Sequence, residues 1–154
     1  VIDTKISNQD AKDYIDQIVF GVYCGECSSH CATMYRYSMG GNQKSFSADF
    51  TDSYFNNKSE MKFNTYLDDK FYFDIGNEIV SNIPDSLLTT NKSSQRFGCP
   101  DCTDGCGIYF EITMDNKKHE FYIDYQTSQL SGFIKNFAEF LKMKITRLRN
   151  KNGL

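Results

Sequence analysis

Two sulfur triplets constrain this chain more than any other feature. CGECSSHC, residues 24–31, and CPDCTDGC, residues 99–106, carry Cys24, Cys27, Cys31 and Cys99, Cys102, Cys106 at one C-x2-C-x3-C spacing. A shift of 75 residues lays Cys24 on Cys99 and superposes the two without a gap. The match continues: Tyr35 falls on Phe110, Tyr37 on Ile112, Met39 on Met114 and Phe46 on Phe121. We read this as an internal repeat, 24–88 and 99–149, inside a single domain of residues 1–154. Two copies of this length are too few for a solenoid, so the repeats are expected as related halves of one structure.

Three chemistries fit six cysteines. In an oxidising compartment an even number in two clusters makes a disulfide set, with fifteen formal connectivities among Cys24, Cys27, Cys31, Cys99, Cys102 and Cys106. If the hairpins stack by pseudo-symmetry, Cys31 with Cys106 is the expected bond between halves. In a reducing compartment, zinc is the alternative: Cys24, Cys27, Cys99 and Cys102 supply four thiolates for a tetrahedral site. The two pairs are several times farther apart in sequence than in compact zinc motifs, and His30 with Cys24, Cys27 and Cys31 offers a local variant. A thiol–disulfide oxidoreductase using Cys99 or Cys102 is the third reading. It needs C-x-x-C at a helix N-terminus, where the dipole activates a thiol. Here both segments lead into strand-like sequence, and Asp101 and Asp104 raise a neighbouring thiol's pKa. Disulfide architecture is the reading adopted.

After each triplet an alternating run meets a turn and returns. TMYRYSM, Gly40-Gly41-Asn42 and QKSFSADF form one such unit; GIYFEITM, Asp115-Asn116 and KKHEFYID form the other. Both predict β-hairpins, with Tyr35, Tyr37 and Met39 on one face and Phe110, Ile112 and Met114 on its counterpart. MKFNTYLDDKFYFDI, residues 61–75, predicts two further strands around Asp68-Asp69. The spacing of Ile79, Val80, Ile83 and Leu87 is helical, interrupted by Pro84. TTNKSSQ, residues 89–95, is expected to be a polar linker. The clearest helix is the last, with a stripe of Leu130, Phe133, Ile134, Phe137, Leu141, Ile145 and Leu148 and a cap at Ser128 or Ser131. A shorter helix is predicted near the N-terminus, with Ser7 and Asp10 as a capping box ahead of Ala11, Tyr14, Ile15 and Ile18. The expected fold is α+β: an antiparallel sheet of two pseudo-repeated hairpin halves, packed with a C-terminal amphipathic helix and a shorter N-terminal one.

Composition narrows the partners. Of 154 residues 40% are hydrophobic and 15% aromatic, enough apolar surface to offset the entropy of ordering. A net charge of −3 gives no global field for nucleic acid, and no nucleic-acid partner is expected. No apolar run approaches the length of a membrane span. The chain opens at Val1 rather than Met, which is read as a processed precursor or a trimmed chain with any leader out of view.

Neither His30 nor His119 sits in a recognisable catalytic arrangement; both are expected at solvated positions. No nucleophile elbow or phosphate loop is present in the sequence. Asp49, Asp52, Asp68, Asp69, Asp101 and Asp104 are explained by turn chemistry, and calcium at Asp101–Asp104 would need more oxygen ligands than the loop offers. Lys135, Lys142, Lys144, Arg147, Arg149 and Lys151 crowd the last helix, as expected of cations complementing a dipole and solvating an outer face.

The phrase FGCPDCTDGCGIYFEI, followed by the EFYID strand and an amphipathic helix, resembles exported proteins of Bacteroidetes. These are often small and lipid-anchored, with no assigned activity. The resemblance covers the last third of the chain. It implies an envelope location, periplasmic or outer-membrane associated, with membrane proximity through a lipid anchor outside the chain, and it carries over no functional residue. The reading is an exported, disulfide-stabilised envelope or binding protein without catalytic activity, with no catalytic, cofactor-binding or metal residue assigned. Partner and oligomeric state are not specified by the sequence.

Overall fold

A computed structural model describes residues 8–100, 102 and 105–154. The expected Ser7 cap, Asp101 and Asp104 lie outside the described residues. The fold is α+β: a seven-stranded, mostly antiparallel sheet with helices packed against it. The strands are β1 (Ile15–Cys24), β2 (Ala32–Ser38), β3 (Ser45–Asp49), β4 (Thr65–Tyr66), β5 (Ser94–Phe97), β6 (Cys106–Met114) and β7 (Lys117–Asp124). They lie in the order β4-β3-β2-β1-β6-β7-β5, and only β5 with β7 is parallel. The helices are α1 (Asn8–Asp13), α2 (Lys70–Ser81), α3 (Asp85–Leu88) and α4 (Gly132–Lys151).

The central strand is the first correction. Ile15 and Ile18, expected on the N-terminal helix, belong to β1, and α1 ends at Asp13. Six consecutive residues, Ile18 to Tyr23, are buried, because β1 has strands on both sides and cover on both faces. Burial on both faces erases the alternation that marks a half-buried strand, so IDQIVFGVYC offers only a continuous apolar run.

The predicted hairpins form β2–β3 and β6–β7 and flank β1 on either side. Phe20 lies opposite both Tyr35 and Phe110, Ile18 opposite Tyr37 and Ile112, and Val19 opposite Arg36 and Glu111. The two partners of each β1 residue are therefore 75 positions apart. The return strands differ by a slip of two residues: Phe46 lies opposite Tyr37, whereas Phe121 lies opposite Phe110. A slip of two keeps both side chains on the same face, since strand side chains alternate with period two. In the second hairpin Asp115 and Asn116 both take left-handed φ, 50° and 62°, as a two-residue turn of this hand requires.

One face of the sheet carries the main core. Ile18, Phe20, Val22, Tyr35, Tyr37, Phe110, Ile112, Phe121 and Ile123 meet Ile75 and Ile79 of α2, Leu87 of α3, and Ile134, Phe137, Leu141, Ile145 and Leu148 of α4. The α4 stripe is as expected except for Phe133, which is 48% exposed. Ser131 occupies the N-cap position of α4 but makes no side-chain capping bond. The cations of α4 are largely structural. Buried Lys144 pairs with Glu78 of α2, Lys142 donates to the Tyr125 carbonyl at 2.9 Å, and Lys151 lies 3.4 Å from Asp69.

Two further expectations are corrected. Residues 61–75 hold only the two-residue β4. The second expected strand is the start of α2, where the Asp69 carboxylate accepts the Phe71 N–H at 3.2 Å as its N-cap. The aromatic run KFYF favours strand by propensity, but Tyr72, Ile75 and Ile79 bury at helical spacing, and packing outweighs propensity. Pro84 does separate α2 from α3. The expected linker 89–95 feeds directly into the edge strand β5.

All six cysteines are paired. Cys24, the last residue of β1, lies opposite Cys106, the first of β6, with Cα atoms 4.0 Å apart, and is bonded to it. Cys27–Cys31 and Cys99–Cys102 close within their own triplets, at Cα separations of 5.7 and 5.3 Å. The expected Cys31–Cys106 bond is not formed. The hairpins do not stack on each other; β1 stands between them, and its own terminal cysteine is the one facing β6.

Candidate functional site

The second face of the sheet is only partly covered. Residues 50–64, between β3 and β4, fold back across it through short 3-10 turns at Ser53–Phe55 and Lys58–Glu60. A smaller core forms there from Val19, Tyr23, Ala32, Met34, Tyr54, Phe63, Tyr109 and Tyr122. Tyr54 is its centre, stacked on Tyr23 at 4.9 Å and edge-on to Tyr109 at 5.5 Å. Burial pushes the Tyr54, Tyr109 and Tyr122 hydroxyls above their ordinary pKa, so the cluster stays uncharged across the physiological range.

The segment is tied down by aspartates. The Asp49 carboxylate accepts the N–H of Thr51 at 2.8 Å, the hydroxyls of Thr51 and Ser53, and the N–H of Lys62 at 2.7 Å. Burial alone would raise its pKa, but these donors outweigh burial and hold it below the ordinary value. Asp52 accepts the Ala32 N–H at 2.9 Å. In the second hairpin, Asp124 accepts the N–H groups of Gln126 and Cys99 at 2.9 and 3.0 Å, and so fixes the start of the second cysteine loop.

Between this segment and the sheet lies a cavity of about 290 Å³, at the small end for ligand sites. Its floor includes Gln17 and Val19 of β1, Arg36 of β2, and Glu111 and Thr113 of β6. Lys118 of β7 lies at one side, and Lys58, Ser59, Met61 and Phe63 form the wall. Arg36 and Glu111 stand opposite the same Val19 on its two sides, so their backbones are about two strand spacings, roughly 10 Å, apart. No ion pair joins the two among the described residues.

The charges differ in how they are partnered. Glu111, 4% exposed, accepts the Tyr109 hydroxyl at 2.6 Å and lies 3.7 Å from Lys118. Burial raises its pKa, against the pull of Tyr109 and Lys118. Lys118 also stands 3.6 Å from Glu120, which accepts the Tyr122 hydroxyl at 2.8 Å. Lys58 donates to the Tyr122 oxygen at 2.9 Å and sits 4.4 Å above that ring. Arg36 lies 4.7 Å over the Phe63 ring, and its buried Nε–H has no hydrogen-bond partner among the described residues. Neither Arg36 nor Lys58 forms an ion pair with a described carboxylate. A second cavity of about 240 Å³, lined by Tyr23, Gly25, Tyr54, Phe55, Lys58 and Gly105, shares Lys58 with the first.

The residues singled out from sequence are elsewhere. His30 is exposed in the first cysteine loop. His119 is half-buried, its Nδ1 2.8 Å from the Lys92 carbonyl. Cys24, Cys27, Cys99 and Cys102, the zinc alternative, are divided among three disulfides, and a sulfur so bonded supplies no thiolate. Among the described residues no group of three or more His, Cys, Asp or Glu is placed to hold a metal ion. Cys99 and Cys102 lie exposed in the loop before β6, not at a helix start. Sequence reasoning missed Arg36 and Glu111, although both were marked: each is the charged residue in an aromatic strand, YRY and FEI, at equivalent repeat positions. The chain matches no family model, no curated protein and no solved structure.

Proposed function

We propose that this is an exported, disulfide-stabilised binding protein of the cell envelope, without catalytic activity, whose ligand enters the cavity on the second sheet face. Three disulfides in 154 residues carry the export half of the reading, since reducing compartments keep such thiols free. Among the described residues no helix is long and apolar enough to cross a membrane, which is compatible with the lipid anchor that the Bacteroidetes resemblance implies. The cavity carries the binding half. Its floor is held by three strands with a fourth at one side, while its wall is a short segment clamped by Asp49 and Asp52, a rigid scaffold presenting a loop.

The test is fractionation of the source cells followed by alkylation before and after reduction. The chain is expected in the envelope fraction, with no cysteine alkylated until reductant is added. Recovery in the cytosol with six alkylatable thiols would overturn the proposal.

A further inference from the structure

We infer that the cavity on the second sheet face takes a small organic oxyanion, a carboxylate or phosphate head on a compact apolar body, with Arg36 as its anchor. The inference rests on the binding reading above. The lining carries three cations, Arg36, Lys58 and Lys118, against one carboxylate, Glu111. Lys118 is shared between Glu111 and Glu120, so its charge is largely answered. Arg36 and Lys58 have no carboxylate partner among the described residues. Leaving a buried guanidinium N–H unmatched is costly, and an oxyanion is the partner that a guanidinium fork fits. The Phe63 ring lies 4.7 Å from the guanidinium carbon and covers it on one side.

The rest of the lining sets the body of the ligand. Val19, Met61 and Phe63 give apolar contact, while Gln17, Ser59 and Thr113 offer neutral donors and acceptors. At about 30 Å³ per water, the volume equals roughly ten waters, which admits a one-ring molecule and excludes a polymer wholly inside it. Glu111, on the other side of Val19, offers no cation to a second anionic group, so one charged head is expected rather than two.

The experiment is isothermal titration of the intact, oxidised protein at pH 7 and low salt with four one-ring probes: benzoate, phenyl phosphate, benzyl alcohol and benzylamine. One or both anions are expected to bind at a single site, and which of them binds distinguishes the carboxylate from the phosphate source. Arg36→Gln is expected to weaken that binding at least tenfold, and Lys58→Met severalfold, with circular dichroism and melting temperature checking that each variant folds. Because Lys58 is exposed, its variant keeps the test decisive should Arg36→Gln unfold. If benzyl alcohol or benzylamine binds as well as the anions, or neither variant weakens anion binding, the oxyanion inference falls while a binding cavity stands. No binding of any probe overturns both readings.

Discussion

Single residues on the second face show why buried polar groups here are not all alike. Asp49 is buried, yet its carboxylate collects donors from Thr51, Ser53 and Lys62, so its charge is fully answered inside the fold. Asp124, at the corresponding end of the other hairpin, accepts the N–H two residues on in the same manner. Glu111 is the opposite case, a buried carboxyl whose pKa burial raises against the pull of Tyr109 and Lys118. Because the folded-state pKa of Asp49 is depressed, its stabilisation is complete above the unfolded value, about 3.9, and is lost as pH falls through the lower folded value. Asp49→Asn is expected to lower stability at pH 7 by about 2 kcal/mol, from lost charge-assisted hydrogen bonds. In urea titrations at pH 7 and pH 3 the gap between wild type and variant should shrink at the acid end. A gap unchanged with pH would show that the carboxylate charge is not what matters.

At the scale of elements, the contact of α2 with the sheet depends on a position that violates helix propensity. Gly76 lies mid-helix, where glycine is unfavourable by about 1 kcal/mol relative to alanine. A Cβ there would overlap the Tyr37 ring, whose hydroxyl donates to Asn77 at 2.6 Å. Close approach outweighs propensity. Gly76→Ala is therefore expected to destabilise by about 1–3 kcal/mol despite its better propensity, read as a lower melting temperature. A raised melting temperature would mean that α2 stands off the sheet. Tyr35 plays the corresponding part for α4: its hydroxyl donates to Asn152 at 3.0 Å, and the Asn152 amide donates to Tyr72 at 2.9 Å. The C-terminal cap of α4 is thereby joined to both β2 and α2.

For the whole molecule, the bond that matters most is the one spanning the sequence. Cys24–Cys106 closes 82 residues, whereas Cys27–Cys31 closes four. On chain-entropy grounds, removing the first as Cys24→Ala with Cys106→Ala should lower stability by about 4 kcal/mol, and removing the second pair by about 2. Urea unfolding of the two double variants checks this, and an equal loss would show that loop length does not set the contribution. How much of this was legible follows from physical range. The sequence by itself determined the two hairpins, the α4 stripe and the cysteine clusters, because alternation, turn residues and helical spacing are local and written in neighbouring positions. The identity of β1 was not legible, since a strand buried on both faces has no polar side to declare its period. Nor was the disulfide pairing, which hinges on β1 standing between the hairpins rather than on any spacing within a triplet. The cavity was decided last and only in three dimensions. Arg36, Lys58, Glu111 and Lys118 come from four separate segments, and nothing local to any one of them says that the register of two strands on Val19 will bring them around one space.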